Sequence, residues 1–150
     1  MNPLIQIIYA FFGTMGFSLL FNIKKKRLLA ASLNGAFSWA VYLVFEHFGC
    51  HVFICSFAAS VFANIVSEIL ARKLNAPSLV FMIPGLIPMI PGSSLYYTME
   101  AIVNGNYGLA GDKAFILLWT IAGLGAGCAI VLAALDMMRR IKGRKKNAEA

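Results

Sequence analysis

The sequence predicts an all-α, polytopic membrane helix bundle, and three observations predict it. Hydrophobic residues fill 60% of the 150 positions and charged residues only 13%, against roughly 45–50% and 25% in a soluble domain. The mean hydropathy is +0.78, and the apolar residues gather in five runs close to the ~20 residues a helix needs to cross ~30 Å of hydrocarbon. Twelve of the thirteen basic residues fall in alternate gaps between those runs. A disordered chain needs few apolar residues and many charges. A soluble enzyme of this length would leave too much apolar surface in water.

The first run, Leu4 to Ile23, holds no charged residue and is followed at once by Lys24, Lys25, Lys26 and Arg27. Positive charge after the run, and none before it, argues for a retained span over a cleaved leader. The second run is Leu28 to Phe48. The third, Val52 to Leu70, is followed by Arg72 and Lys73. The fourth, Ser78 to Met99, is interrupted by Pro and Gly. The fifth, Ala114 to Leu135, precedes Arg139, Arg140, Lys142, Arg144, Lys145 and Lys146. The expected layout is one transmembrane domain, 1–138, with spans near 4–23, 28–48, 52–70, 78–99 and 114–135, and a basic cytoplasmic tail, 139–150. Only Lys113 lies on the side opposite the other basic residues. Cytoplasmic loops collect Lys and Arg, so the N-terminus is expected outside and the C-terminus inside. A re-entrant fourth run would leave four spans and put the basic tail outside, against that rule. The net charge of +7 thus marks the cytoplasmic ends of spans and meets anionic lipid; no nucleic-acid partner is expected.

Cys50, Cys55 and Cys128 are odd in number and form no disulfide framework. Cys55 and Cys128 fall inside spans and read as small apolar residues. Glu46, His47, Cys50 and His51 cluster between spans two and three, but their spacing matches no zinc pattern. They read as an interfacial loop, so no metal and no cofactor is expected. Nucleophile-elbow, zinc-protease and P-loop motifs are missing. The six acidic residues form no close pair within a span that could act as general acid and base. No enzymatic activity is expected.

Polar side chains within spans are costly, so their spacing carries information. Asn34, Ser38, Tyr42 and Glu46 recur every four residues in span two. Ser56, Ser60, Asn64, Glu68 and Arg72 do so in span three. Such side chains share a helix face, and each stripe is expected to turn away from lipid. It serves either as interhelical hydrogen bonding or as the wall of a hydrated path lined by Asn34, Ser38, Asn64 and Glu68. Glu68 and Arg72 are spaced for an ion pair. In span five, Gly123 and Gly127 with Ala122, Ala126, Ala129 and Ala133 form a small-residue packing face.

The fourth run carries Pro84, Pro88 and Pro91 with Gly85 and Gly92. Three prolines in eight residues do not fit a continuous helix. Broken backbone at membrane depth is tolerated only inside protein or beside a watery cavity. Pro91-Gly92-Ser93-Ser94 reads as a helix start, with Ser as N-cap and Leu95 to Met99 as the helix. A half-helix starting mid-membrane aims free N–H groups inward and suits a carboxylate, as in the discontinuous helices of secondary transporters. Pro88, Pro91, Gly92, Ser93, Ser94 and Tyr96 are therefore the candidate substrate-binding residues.

This segment also carries a family resemblance. Ile87-Pro88-x-x-Pro91-Gly92, followed by Leu95-Tyr96-Tyr97-Thr98-Met99, with Ile83-Pro84-Gly85 before it and Phe21-Asn22 after the first span, resembles the threonine/serine exporter (ThrE-like) family. The match is to its small YjjB-type subunits, which correspond to the C-terminal membrane half of fused exporters. The resemblance covers the chain in length and span layout, with its specific residues at 83–99. It implies a multi-pass subunit of the bacterial inner membrane that exports threonine and serine or a dicarboxylate such as succinate. It also implies a partner, either a larger membrane subunit of the same family or another copy of the chain. Five spans without a visible inverted repeat agree with half of a transporter. The alternative is a structural or regulatory membrane subunit that stabilises a partner without contacting substrate.

Overall fold

The computed structural model describes residues 2–148, apart from the side chains of Lys25, Arg139 and residues 142–148. It contains six helices: α1 (Pro3–Leu20), α2 (Lys25–His47), α3 (Val52–Lys73), α4 (Leu79–Leu86), α5 (Gly92–Val103) and α6 (Tyr107–Ala148). A 3-10 turn, Ile87–Met89, links α4 to α5. No strand occurs among the described residues.

The first three helices stop at Leu20, His47 and Lys73, where the expected runs end at 23, 48 and 70, and the physical reason is local. After α1, α2, α3 and α5 the chain turns through a left-handed residue: Asn22 (φ 53°), Gly49 (φ 71°), Asn75 (φ 45°) and Gly105 (φ 70°). In each case the next N–H reaches back to a carbonyl five residues earlier. These bonds run Ile23 to Ser18, Cys50 to Phe45, Ala76 to Ala71 and Asn106 to Ala101, at 2.8–3.2 Å. Orphan carbonyls at the helix ends are satisfied by this closure, and Gly and Asn are the residues that tolerate it.

What is buried is the reverse of a soluble core. The fully enclosed side chains include Thr14, Ser18, Ser32, Asn34, Ser38, Ser56, Ser60 and Ser67, while Leu20, Leu118, Ile121 and Ile130 are exposed. In water this arrangement would forfeit the hydrophobic gain. In a bilayer, lipid solvates the apolar face and hydroxyls and amides are the groups that must turn inward. The chain is a helical membrane bundle. α1, α2, α3 and α6 are each long and apolar enough to cross a membrane, and the bent α4–α5 segment has the composition of a further span.

Helices α2 and α3 stand at the centre. α1 flanks α2, α6 flanks α3, α5 lies on α6, and α4 rests across both α2 and α3. Phe81 of α4 is fully buried against Ala31 and Ala71, and Met89 of the turn is buried against Ala59 and Ala63. Small residues permit the close approach. A Cβ at Gly123 would stand 2.5 Å from the Phe53 carbonyl oxygen. One at Gly127 would stand 2.8 Å from Ser60 Oγ and 2.9 Å from the Phe57 carbonyl oxygen. The Gly123/Gly127 face expected from the sequence therefore packs on α3. Gly35 meets Thr14 of α1 with equal intimacy.

Helix α6 exceeds the expected fifth span of 114–135 at both ends, running over 42 residues. Its apolar stretch, Tyr107–Met138, is 32 residues long. The helix continues past the apolar run because Arg, Lys, Met and Ala are good helix formers whatever their polarity. The basic tail 139–150 follows this stretch. Its described side chain Arg140 pairs with Asp136 at 2.8 Å, while those of Arg139 and 142–150 lie outside the described residues.

Candidate functional site

The fourth apolar run breaks where its prolines predict. Pro84 is carried inside α4, and the axis bends by 46° between Leu79–Met89 and Gly92–Val103. Pro88 sits in the 3-10 turn, half-buried beside a cavity of about 220 Å³ shared with Gln6, Tyr9, Ala10 and Trp39. Pro91 is half-buried and forms the N-cap of α5 (φ −78°, ψ 56°). Its carbonyl takes the first helical bond, from the Leu95 N–H at 3.1 Å, and the Gly92 N–H turns back to Ile90 at 2.7 Å.

The helix therefore starts one residue before the serines, and this corrects the expected serine N-cap. Proline, whose ring fixes φ and which has no N–H of its own, occupies that place. Ser93 and Ser94 instead lie in the first turn, where N–H groups have no helical acceptor. Neither N–H is bonded among the described residues. Ser94 is half-buried, and its carbonyl accepts the Thr98 hydroxyl at 2.6 Å. Gly92, Ser93 and Tyr96 are exposed, a Cβ at Gly92 would meet nothing, and Tyr96 stacks edge-on against Tyr97 at 5.4 Å.

The two polar stripes turn inward at Asn34 and Ser38 and at Ser56, Ser60, Asn64 and Glu68, while Tyr42 is half-buried and the end residues Glu46 and Arg72 are exposed. Asn34 is 1% exposed. Its Nδ2 lies within bonding distance of the Ala63 carbonyl (3.3 Å), Ser67 Oγ (3.0 Å) and the Phe81 carbonyl (3.2 Å). One amide thus ties α2 to both α3 and α4. Ser38 donates to the Asn34 carbonyl at 2.7 Å. On the other side of α3, Asn64 donates to the Ser60 carbonyl at 2.8 Å and to Cys128 Sγ at 3.3 Å, and Ser60 donates to the Leu124 carbonyl at 2.9 Å. The Oδ1 atoms of Asn34 and Asn64 are buried without a partner, so each keeps an acceptor that a water or a polar ligand can use. Glu68 receives both Nε and Nη2 of Arg72 on Oε1, at 3.2 and 3.0 Å.

Asn34 touches α4 directly, against Gly85, and so joins the stripe of α2 to the first half of the broken segment. Ser93 and Tyr96 lie on the open face of the second half. Three features went unread in the sequence. Thr14 and Ser18 of α1 are fully buried with unpartnered hydroxyls; their spacing of four was the available signal. Ser67, one turn from the Asn64 stripe, bonds Asn34. Arg27 sends Nη2 to the Leu74 and Asn75 carbonyls at 3.2 and 3.1 Å, tying the start of α2 to the α3–α4 turn.

Residues 6–134 match the family described as Threonine/Serine exporter, ThrE. A protein of Haemophilus influenzae (strain ATCC 51907 / DSM 11121 / KW20 / Rd), described only as "Uncharacterized protein", is 25% identical over 112 residues. That alignment covers 75% of this chain and 38% of the relative, so the chain spans well under half of the relative's length. No solved structure matches. With most of its length accounted for by that match, the chain belongs to the threonine/serine exporter family, a family of membrane transporters.

Proposed function

We propose that this chain is a membrane subunit of a secondary exporter for small carboxylate-bearing metabolites: threonine and serine, or a dicarboxylate such as succinate. It crosses the bacterial inner membrane five times, N-terminus outside, with α4 and α5 together forming the fourth crossing. The observation that carries the reading is the break at 87–91, which leaves the Ser93 and Ser94 N–H groups unpaired at the start of α5. Such a helix start attracts a carboxylate through its N–H groups and its dipole. In this reading Pro88 and Pro91 hold the bend. Gly92 leaves room for close approach. Ser93 and Ser94 supply donors, and Tyr96 flanks them. Asn34, Ser38, Asn64 and Glu68 line the route on the α2 and α3 side. The exposed Ser93 and Tyr96 face is completed by a larger membrane subunit of the family or by another copy of the chain. A proton or substrate gradient drives transport.

The test is efflux of labelled threonine, serine and succinate from cells that lack the chain or carry Pro91→Ala or Ser93→Ala. The reading expects efflux of at least one substrate to fall. Unchanged efflux of all three would sink it. The tight α3–α6 contact favours one second reading, a scaffold subunit. Gly127→Leu would then abolish assembly, while Gly92, Ser93 and Ser94 substitutions would leave transport intact.

A further inference from the structure

None of the three cysteines has a part in the export reading, yet the fold brings two of them together. His51 is the N-cap of α3. Cys50 therefore stands just before the cap, and Cys55 is the fourth residue of the helix. Side chains at those two positions often pack on one another and fix the angle at which the chain enters a helix. Here the Cys55 thiol donates to the carbonyl of Cys50 at 3.5 Å. A carbonyl oxygen lies about 2.4 Å from its own Cα, so the Cys55 sulfur is held within about 6 Å of the Cys50 Cα.

A disulfide joins residues whose Cα atoms stand roughly 4.4–6.8 Å apart. Cys50 belongs to neither α2 nor α3 and follows Gly49, whose φ is 71°. Turning its side chain toward α3 disturbs no helical hydrogen bond. The two thiols also differ in access. Cys50 is half-buried, while Cys55 is 1% exposed. A reagent from outside reaches Cys50 first, and Cys55 waits behind it. Cys128 is engaged elsewhere, by Ser60 and Asn64 at 3.3 Å each.

We propose that Cys50 and Cys55 form a reversible intrachain disulfide, made by exchange with a disulfide R–S–S–R of the cell envelope. The supply of that oxidant rests on the orientation given above, N-terminus outside, which puts the α2–α3 turn where disulfides persist. The Cys50 thiolate attacks one sulfur of R–S–S–R and expels RS⁻. The Cys55 thiol then gives up its proton and attacks the Cys50 sulfur, expelling the second RS⁻. The two thiol protons end on the two RS⁻ ions. Two cysteine thiols are oxidised to one disulfide, and R–S–S–R is reduced to two R–SH. The new bond pins the start of α3. There His51 Nδ1 accepts the Phe53 N–H at 3.2 Å, and the His51 ring packs edge-on against Trp119 of α6 at 5.2 Å. Closing the bond therefore fixes the α2–α3 turn against the end of the α3–α6 pair.

The test exposes the full chain in lipid nanodiscs to glutathione disulfide. Free thiols are then counted with a maleimide in denaturing detergent and placed by peptide mass spectrometry. The reduced chain takes three maleimides, one per cysteine. The oxidised chain is expected to take one, at Cys128, with Cys50 and Cys55 linked and no glutathione retained. Cys55→Ser is expected to keep glutathione on Cys50, because the resolving thiol is gone. The oxidised wild type should also unfold at a higher temperature than the reduced one, a gain absent from Cys55→Ser. Three free thiols after treatment, a lasting glutathione adduct on wild-type Cys50, or a bond between two copies overturns the proposal. If it is overturned while Pro91→Ala lowers efflux, the pairing falls and the exporter reading stands. The same count on acid-quenched cells separates the pairing from its orientation. Loss of the two thiols there supports both. If the nanodisc chain closes the bond but the cellular chain keeps three thiols, the outward placement of the α2–α3 turn falls and the pairing stands.

Discussion

The side-chain amide of Asn34 lies 3.2 Å from the carbonyl oxygen of Phe81. That contact ties the middle of α2 to the first half of the broken segment. Asn34 also reaches Ser67 and Ala63, so one buried side chain sets the distances among three helices. Removing it takes the amide donor away from the Ser67 hydroxyl and the Phe81 carbonyl, while the Ala63 carbonyl keeps the Ser67 hydroxyl at 2.6 Å. Asn34→Leu should therefore destabilise the chain by about 1–2 kcal/mol, the upper part of the range for interhelical hydrogen bonds in membranes. Unfolding of the protein in mild detergent measures this. A variant as stable as the wild type would mean that α4 is held by apolar packing alone.

Gly123, Gly125 and Gly127 share one helix but not one environment. An added Cβ at 123 or 127 runs into α3 backbone or Ser60, while at 125 it meets nothing. Gly123→Ala and Gly127→Ala should each lower stability, by about 1–3 kcal/mol as for overpacked interiors. Gly125→Ala should be neutral or slightly stabilising, because Ala is the better helix former. Thermal unfolding of the three variants side by side checks the order. Equal loss at all three would place α6 in a different rotation.

The parts of this architecture written in local chemistry were legible in the sequence. Basic residues follow the first, third and fifth apolar runs, and three prolines place the bend. The inward turn of Asn34 and Asn64 followed from a spacing of four residues. The rest depends on partners distant in sequence. Nothing near Asn34 announces that its amide reaches α4, and nothing near Arg27 announces Leu74 and Asn75. The start of α5 was misplaced by three residues, Leu95 in place of Gly92, because Ser and Pro are both good at helix starts, and only the fold decides between them. Thr14 and Ser18 were passed over because hydroxyls in an apolar run look incidental until the bundle shows them enclosed.

Pro88 and Pro91 both lie in the stretch where the axis bends between α4 and α5. Replacing both by Ala restores the missing N–H groups and removes the ring clashes, which together cost a helix interior about 3 kcal/mol or more per proline. The double variant should straighten the segment and extend α5 toward α4. Spin labels at exposed Ile83 and Met99 should then move apart, read as a longer distance by pulsed electron paramagnetic resonance. An unchanged distance would show that packing of Phe81 and Met89, and not proline, imposes the bend.

Lys73 and Lys113 decide between a crossing and a re-entrant fourth segment. Lys73 ends α3 and Lys113 lies in the first part of α6, with only α4, the turn and α5 between these helices. If α4 and α5 cross the bilayer together, the two residues lie on opposite faces. If the pair dips in and returns, they share one face. The basic residues favour a crossing, because Lys113 would otherwise join Arg72 and Lys73 and leave the six basic residues at 139–146 on the opposite side. Lys73→Cys and Lys113→Cys, each in a background with the native cysteines replaced, should differ in labelling of intact cells by an impermeant maleimide. Lys113→Cys should react and Lys73→Cys should react only after the membrane is opened. Equal reactivity from one side would leave four spans, place the broken segment as a re-entrant loop, and move the α5 start to the membrane face it enters from.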